Sequence, residues 1–154
     1  LLSREIEQSR RFQTPLALIL FDIDHFKQVN DTYGHTVGDE VLIELSHFVA
    51  ARVRSTDLVA RWGGEEFAVL APHAEARAAA RFAKILREGI AQILFPVVGR
   101  VTCSFGVAEF ARGDDAESLI ERADGALSQA KMNGRNPLQR APPPHLGARV
   151  RSAA

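Results

Sequence analysis

Four acidic side chains in two short stretches are the residues best suited to chemistry. Asp22 and Asp24 close one apolar run, and Glu65 and Glu66 open another directly after two glycines. Clustered carboxylates repel one another unless a hard cation lies between them, and Mg²⁺ takes one or two carboxylates together with phosphate oxygens. Two converging clusters of this kind are typical of phosphoryl or nucleotidyl transfer.

The pair Gly63-Gly64 separates two short apolar segments and predicts a β-hairpin. Glycine tolerates the positive φ angles that a two-residue turn of type I′ requires. On the strand that follows, Glu65 and Glu66 should point to opposite faces. A solvated hairpin tip would explain these two acids if they stood alone, so the functional interpretation depends on the second cluster at Asp22.

Three basic residues, Lys27, Lys131 and Arg135, could neutralise phosphate charge beside these acids. Taken singly, each is more simply a solvated cation, and the last two lie where a helix C-terminus favours positive charge. Together with the acids, they favour a phosphate site.

Asn30 and Asp39 could form a guanine pocket. A carboxylate can accept two parallel hydrogen bonds from the N1 and N2 donors of guanine, and an amide can serve the acceptors of the purine. The alternative for Asp39 is a stabilising acid in the first turn of a helix.

Hydrophobic periodicity predicts an alternation of helices and strands. The predicted helices cover residues 2–12, 25–33, 36–54, 73–94 and 115–133, and the predicted strands cover residues 16–23, 57–62, 66–71 and 100–110. Asp24 is predicted as the N-cap of the second helix, and Thr36 with Asp39 as a capping box for the third.

This order is close to the βαββαβ arrangement of ferredoxin-like or palm-type domains. We therefore predict an α/β (α+β) fold with a central, mainly antiparallel sheet flanked by helices. The second hairpin strand would lie antiparallel to the first strand. The Gly63-Gly64 turn would then lie at the same sheet edge as Asp22, and the two acidic clusters would converge.

Length and composition indicate a single main domain. The predicted boundaries are an N-terminal helix at 1–15, which starts without methionine as in a truncated start, a catalytic domain at 16–136 and a disordered tail at 137–154 that holds four of the seven prolines. Residues 1–134 carry 15 basic and 19 acidic side chains, which argues against a nucleic-acid partner. The single Cys103 forms no internal disulfide, and no apolar run is long enough to span a bilayer.

Three segments together resemble the GGDEF-domain diguanylate cyclases, in the GGEEF form. They are Phe21-Asp22-Ile23-Asp24-His25-Phe26-Lys27-Gln28-Val29-Asn30-Asp31, then Gly34-His35 with Gly38-Asp39, then Arg61-Trp62-Gly63-Gly64-Glu65-Glu66-Phe67. Gln129-Ala130-Lys131 and Gly134-Arg135-Asn136 are also in register. The resemblance covers residues 16–136 and is highly specific.

The resemblance implies a role for each matching residue. Asp22, the carbonyl of Ile23 and Glu65 would hold Mg²⁺, with Mn²⁺ as an alternative ion. Glu65 would also be the base for the 3′-hydroxyl. Glu66 completes the catalytic pair, and its position, on the opposite face or in an outer layer around the metal, is left open. Asn30 and Asp39 would read guanine, and the nucleotide and its phosphates would contact Lys27, His35, Lys131 and Arg135.

The resemblance also implies a homodimer that condenses two GTP into cyclic di-GMP and two pyrophosphates. Arg54 and Asp57 match the RxxD motif for product inhibition, to which Arg81 or Lys84 could add a contact. The Asp-x-Leu-Thr-x-Leu segment that usually opens such domains is not found in this sequence, and we expect that an upstream sensory or dimerisation module is missing from it. The alternative function is a weak or inactive domain that senses cyclic di-GMP or GTP. We expect a cytoplasmic domain, whose parent protein could be membrane-anchored.

Overall fold

A computed structural model describes residues 1–61, 63–134 and 138–144 of the chain. In these residues the helices are α1 (Leu2–Phe12), α2 (Phe26–Tyr33), α3 (His35–Ala50), α4 (Ala76–Gln92) and α5 (Ala116–Met132). The strands are β1 (Leu16–Ile23), β2 (Leu58–Arg61), β3 (Glu66–Pro72), β4 (Cys103–Glu109) and β5 (Leu138–Arg140).

The strands form one sheet in the order β2-β3-β1-β4-β5. β1 is the central strand and runs antiparallel to both β3 and β4. The predicted insertion of the second hairpin strand beside the first strand is thus confirmed, as is the mainly antiparallel α+β fold.

Both faces of the sheet are covered, which explains why β1 is apolar at successive positions. Phe21 and its neighbours on one face pack against α2, α3 and α4, and Phe21 stacks between Phe67 and Phe105. On the other face Leu18 and Leu20 pack with Ile6 of α1 and with apolar residues of α5. Every residue of β1 is buried, so its end is a fixed platform for a site.

Helix α5 lies directly on β4 at Gly106. A Cβ atom at this glycine would lie 2.4 Å from the carbonyl oxygen of Ala123 and 2.4 Å from the amide nitrogen of Leu127. Such a distance is far below van der Waals contact, so only glycine allows the helix to approach this closely. The close approach brings the last turn of α5, with Lys131, to the end of β1.

The structure corrects the prediction of a disordered tail for part of residues 137–154. Leu138–Arg140 forms strand β5, which pairs in parallel with β4 and places Leu138 opposite Phe105. Residues 137 and 145–154 lie outside the described part of the chain. Among the described residues no helix is both long enough and apolar enough to cross a membrane.

Candidate active site

The two acidic clusters meet at one edge of the sheet, as predicted. Asp22 is the direct cross-strand partner of Glu66 on β3 and of Ser104 on β4. Directly opposed residues of antiparallel strands share a face, with Cβ atoms about 5 Å apart. Glu66 therefore lies beside Asp22 on the face that α5 covers.

Asp22 is a buried carboxylate with one free oxygen. Its side chain is 3% exposed, and its Oδ2 accepts a hydrogen bond from Nζ of Lys131. Its Oδ1 is buried and has no hydrogen-bond partner in the described structure. Burial raises the pKa of Asp22 to about 6, with Lys131 opposing the rise and Glu66 and Glu65 adding to it.

The hairpin turn differs from the predicted two-residue type I′ turn. β2 ends at Arg61 and β3 begins at Glu66, and of the two glycines only Gly63 has a positive φ, 83°. The guanidinium of Arg61 donates a 2.8 Å hydrogen bond to the carbonyl oxygen of Gly64 and braces the longer turn. Glu65 therefore lies in the turn and not on the strand, so the expected alternation with Glu66 does not apply.

A cavity of about 430 Å³ opens beside this carboxylate cluster. It is lined by Ile23, Asp24, His25, Phe26, Lys27, Glu65, Lys131 and Gly134. The structure thus brings together, around one space, an acid of the turn, two lysines and the residue whose carbonyl was predicted to bind metal. Arg135 lies outside the described residues.

Asp24 is not the N-cap of α2 that its position after a strand predicted. The N-cap is His25, in the left-handed region at φ 58°, and it makes no side-chain capping bond. The carboxylate of Asp24 instead accepts hydrogen bonds from the hydroxyls of Thr102 and Ser104, each 2.6 Å long. These two hydroxyls were missed in the sequence, where their one signal is that they flank Cys103 in an otherwise apolar run.

The guanine-pocket residues lie at the contact between α2 and α3. A Cβ atom at Gly38 would overlap Oδ1 of Asn30, at 1.9 Å, so the amide of Asn30 lies against the glycine backbone. Asp39 follows Gly38, and its side chain is exposed, as is that of His35. The predicted capping box at Thr36 is wrong, because α3 begins at His35 with Gly34 as an N-cap that has no side-chain bond.

The residues of the RxxD motif lie at the opposite edge of the sheet. The guanidinium of Arg54 donates to both carboxylate oxygens of Asp57, at 3.0 and 3.3 Å, and to the carbonyl oxygen of Pro72 at 3.0 Å. Asp57 is 4% exposed, whereas Arg54 is 55% exposed. The pair is preformed, and the arginine remains open to solvent.

The carboxylates of Asp22, Glu65 and Glu66 fit a hard cation that would take its remaining ligands from phosphate. The buried free Oδ1 of Asp22 needs a cation or a donor, and Glu65 and Glu66 add negative charge beside it. Among the described residues no three His, Cys, Asp or Glu side chains are close enough to enclose a metal by themselves. Mg²⁺ typically uses one or two carboxylates and takes its other ligands from water and substrate phosphates.

The fold and the site together define a GGDEF-type domain: a central antiparallel sheet whose middle strand ends in a carboxylate beside a Gly-Gly-Glu-Glu turn. The family model for "Diguanylate cyclase, GGDEF domain" matches residues 1–137. The chain therefore belongs to the GGDEF-domain diguanylate cyclase family.

Two named relatives illustrate the sequence similarity. The chain is 44% identical over 127 residues to the diguanylate cyclase VdcA of Vibrio cholerae, a match that covers 79% of this chain and 38% of the relative. It is 45% identical over 128 residues to the response regulator PleD of Caulobacter vibrioides, covering 79% and 28%. The chain spans well under half the length of either relative.

Solved structures show the same fold. The active GGEEF domain of a diguanylate cyclase from Vibrio cholerae has a TM-score of 0.88 at 31% identity, covering 93% of each chain. The GGDEF domain of DgcB from Caulobacter crescentus, solved in complex with c-di-GMP, has a TM-score of 0.87 at 33% identity and covers 90% of this chain and 85% of that one.

Proposed function

We propose that this domain is a diguanylate cyclase, which condenses two GTP into cyclic di-GMP and two pyrophosphates. The observation that carries the proposal is the buried, unpartnered Oδ1 of Asp22 beside Glu65 and Glu66, at the edge of a cavity that two lysines line. A site of this charge distribution suits a nucleoside triphosphate that arrives with a divalent cation.

Asp22, the carbonyl oxygen of Ile23 and Glu65 would hold Mg²⁺ or Mn²⁺. When bound, the cation lowers the charge of the phosphates and favours departure of pyrophosphate. Lys27 and Lys131 line the same cavity, and their ammonium groups would bind phosphate oxygens. Arg135 and His35 are proposed as further nucleotide contacts on the strength of the family resemblance.

The reaction forms one bond and breaks one bond at each phosphorus. The 3′-hydroxyl oxygen of one nucleotide attacks the α-phosphorus of the other, and the bond from that phosphorus to the pyrophosphate oxygen breaks. Glu65 is the proposed acceptor of the hydroxyl proton, because it lies in the turn and lines the cavity. Glu66, next to Asp22 in the sheet, would keep the site negative and the cation bound.

Asn30 and Asp39 would select guanine at the contact between α2 and α3. Two nucleotides must meet for the reaction, and the described residues of one chain offer one such pocket, so we propose that catalysis requires a homodimer. Any segment or protein that brings two copies together would then control the rate.

Turnover of GTP with Mg²⁺, followed as a function of protein concentration, tests this proposal. Specific activity should rise with concentration, since dimers alone would be active. Glu65→Ala should lose at least about a hundred-fold in kcat. Glu44→Ala, which removes an exposed glutamate of α3, should match the wild type. Full synthesis of cyclic di-GMP by Glu65→Ala would refute the assignment.

A second candidate function is a binding module for cyclic di-GMP or GTP without turnover. The preformed pair of Arg54 and Asp57 favours it, because this pair is separate from the carboxylate cluster. Calorimetry on a fusion that forces the chain to dimerise would discriminate the two functions. Tight binding of cyclic di-GMP with no product from GTP would support the binding module.

A further inference from the structure

Asp24 makes three hydrogen bonds at the start of the neighbouring strand, two to Thr102 directly before β4 and one to Ser104 within it. Its Oδ2 accepts from the hydroxyl of Thr102 and its Oδ1 from the hydroxyl of Ser104, both at 2.6 Å. Its backbone N–H donates to the carbonyl oxygen of Thr102 at 2.8 Å. Both carboxylate oxygens therefore already have hydroxyl donors.

The two residues before Asp24 carry the proposed metal contacts. Asp22 pairs in register with Ser104, and Ile23 pairs with Cys103. The donor Ser104 is 0% exposed and is held in the sheet core. A carboxylate tied to this fixed point sets where the strand ends, and so sets the direction of the Ile23 carbonyl and of the Asp22 side chain.

The residue after Asp24 is in a strained conformation. His25 has φ 58°, and a non-glycine residue in the left-handed region costs about 1 kcal/mol or more unless its surroundings hold it there. From this point the chain enters α2, which carries Lys27 and Asn30. The hydrogen bonds made by Asp24 therefore fix the connection between β1 and α2, the helix that carries both of these proposed nucleotide contacts.

We propose that Asp24 is a positioning residue. Through its hydrogen bonds to Thr102 and Ser104 it orients the two proposed cation ligands, the carboxylate of Asp22 and the carbonyl of Ile23, and the start of α2. This inference rests on the proposed function, since it concerns the cation and nucleotide of the same site. We assign the cation to Asp22 and Ile23 and not to Asp24, whose two oxygens are each already held by a hydroxyl. It acts through the backbone that it shares with Asp22 and Ile23, and so fixes ligand orientation, which outer hydrogen-bond partners of metal ligands do directly.

The test compares Asp24→Ala with Asp24→Asn. The amide keeps one acceptor oxygen for a hydroxyl, and the other hydroxyl can rotate to accept from the new NH₂ group. Asp24→Ala should weaken Mn²⁺ binding and raise the KM for GTP by about ten-fold each, as loss of such outer partners usually does. Asp24→Asn should stay within about three-fold of the wild type. Asp124→Ala, which removes an exposed aspartate of α5, is the matched control.

A third variant keeps the test decisive if Asp24→Ala folds poorly. Thr102→Val removes one donor with little change in volume and leaves Asp24 in place. It should weaken Mn²⁺ binding in part, and its effect should not add to that of Asp24→Ala, because both remove the same hydrogen bond. Mn²⁺ binding is measured on the folded protein without nucleotide, by electron paramagnetic resonance.

The outcomes separate this inference from the proposed function. If the wild type makes cyclic di-GMP and both Asp24→Ala and Thr102→Val bind Mn²⁺ and GTP as it does, the positioning role is wrong and the cyclase proposal stands. If Glu65→Ala remains fully active, the cyclase assignment fails. The contrast in Mn²⁺ binding between Asp24→Ala and Asp24→Asn then still decides the role of Asp24.

Discussion

The ammonium group of Lys131, in the last turn of α5, donates a hydrogen bond to Oδ2 of Asp22 at the end of β1, 109 residues away in sequence. Lys131 thereby places a positive charge beside the carboxylate that we propose as a metal ligand. Its side chain is 46% exposed, so the ammonium can reach the cavity, provided that a cation replaces it beside the buried carboxylate of Asp22. The same lysine can thus balance Asp22 before a cation arrives and bind phosphate afterwards.

We predict that Lys131→Met binds Mn²⁺ more tightly than the wild type when no nucleotide is present. The substitution removes a competing cation from the buried carboxylate of Asp22, so the affinity for Mn²⁺ should rise by at least about five-fold. The KM for GTP should rise, because the phosphates lose a positive partner. Electron paramagnetic resonance at pH 8 measures the affinity for Mn²⁺, and initial rates measure the KM for GTP.

Arg77→Met is the control for Lys131→Met, since Arg77 is an exposed cation of α4 to which no part of the site is assigned. It should leave both quantities unchanged. Weaker Mn²⁺ binding in Lys131→Met would mean that the lysine supports the cation site and does not compete for it.

Asp22→Asn should stabilise the metal-free protein at pH 8. The folded state raises the pKa of Asp22 to about 6, mainly through burial, so an ionised Asp22 weakens the fold above that pH. The free energy of unfolding should rise by about 1–2 kcal/mol, a value reduced because the new amide is imperfectly hydrogen-bonded. It should shrink as the pH falls through 6 and vanish below about 4, where aspartate is protonated in both states.

Urea melts with EDTA at pH 8 and pH 4 measure this difference for Asp22→Asn. The variant should also lose Mn²⁺ binding, so that stability rises while function falls. A variant that is less stable than the wild type at pH 8 would show that the bond to Lys131 outweighs the burial of Asp22.

The sequence was sufficient to predict the order of the elements and the meeting of Asp22 with the Glu65-Glu66 turn. Apolar periodicity fixes which stretches can be buried, and the Gly-Gly pair fixes where the chain reverses. Once β3 lies antiparallel to β1, the strand lengths bring Glu66 opposite Asp22. This part of the fold follows from local patterns and one topological rule.

The missed features depend on partners that are distant in sequence. Asp24 has the local pattern of an N-cap, and its real partners, Thr102 and Ser104, lie 78 and 80 positions away. The strand at Leu138 is three residues long and follows a proline, so it becomes a strand only because β4 offers a free edge. Such contacts exist only after the fold has formed, and local propensity does not report them.

Asp114→Ala should destabilise the fold by about 3 kcal/mol at pH 7. The carboxylate of Asp114 is 2% exposed and accepts from the guanidinium of Arg122, the N–H of Ala111 and the hydroxyl of Ser118. Its removal leaves Arg122, at 16% exposure, without the charge it pairs with. Urea denaturation of this variant and of Asp124→Ala measures the difference.

The contribution of Asp114 to stability should also depend on pH in a defined direction. Burial alone would raise its pKa, but the hydrogen bonds from Arg122, Ala111 and Ser118 outweigh burial and lower it. A lowered folded pKa gives stability that is complete above the unfolded value of about 3.9 and is lost as the pH falls through the folded value. The gap between wild type and Asp114→Ala should therefore be constant from pH 5 to 7 and narrow below pH 4.

Arg54→Ala should relieve product inhibition without lowering the initial rate. Arg54 lies at the far edge of the sheet, where it pairs with Asp57 and the carbonyl of Pro72, and 55% of its side chain is exposed to solvent. Loss of a guanidinium that binds phosphate should raise the inhibition constant for cyclic di-GMP about ten-fold or more. Inhibition constants equal to those of the wild type would remove Arg54 from the inhibitory site.

Gly38→Ala should weaken guanine selection, because a methyl group there would occupy the place of the Asn30 amide. The added Cβ would lie 1.9 Å from Oδ1 of Asn30 and 3.2 Å from the ring of Phe26, so Asn30 must move or α2 must shift away from α3. We expect the ratio of kcat/KM for GTP over ATP to fall at least ten-fold, since a site built for hydrogen bonds discriminates through them.

Gly125→Ala is the matched control for this substitution. Gly125 is also a helical glycine, a Cβ atom there meets nothing within 4 Å, and both substitutions gain similar helix propensity. Gly125→Ala should keep the wild-type ratio. If Gly38→Ala keeps it as well, Asn30 does not read the base from the position in which Gly38 holds it, and Asp39 must select guanine without the amide.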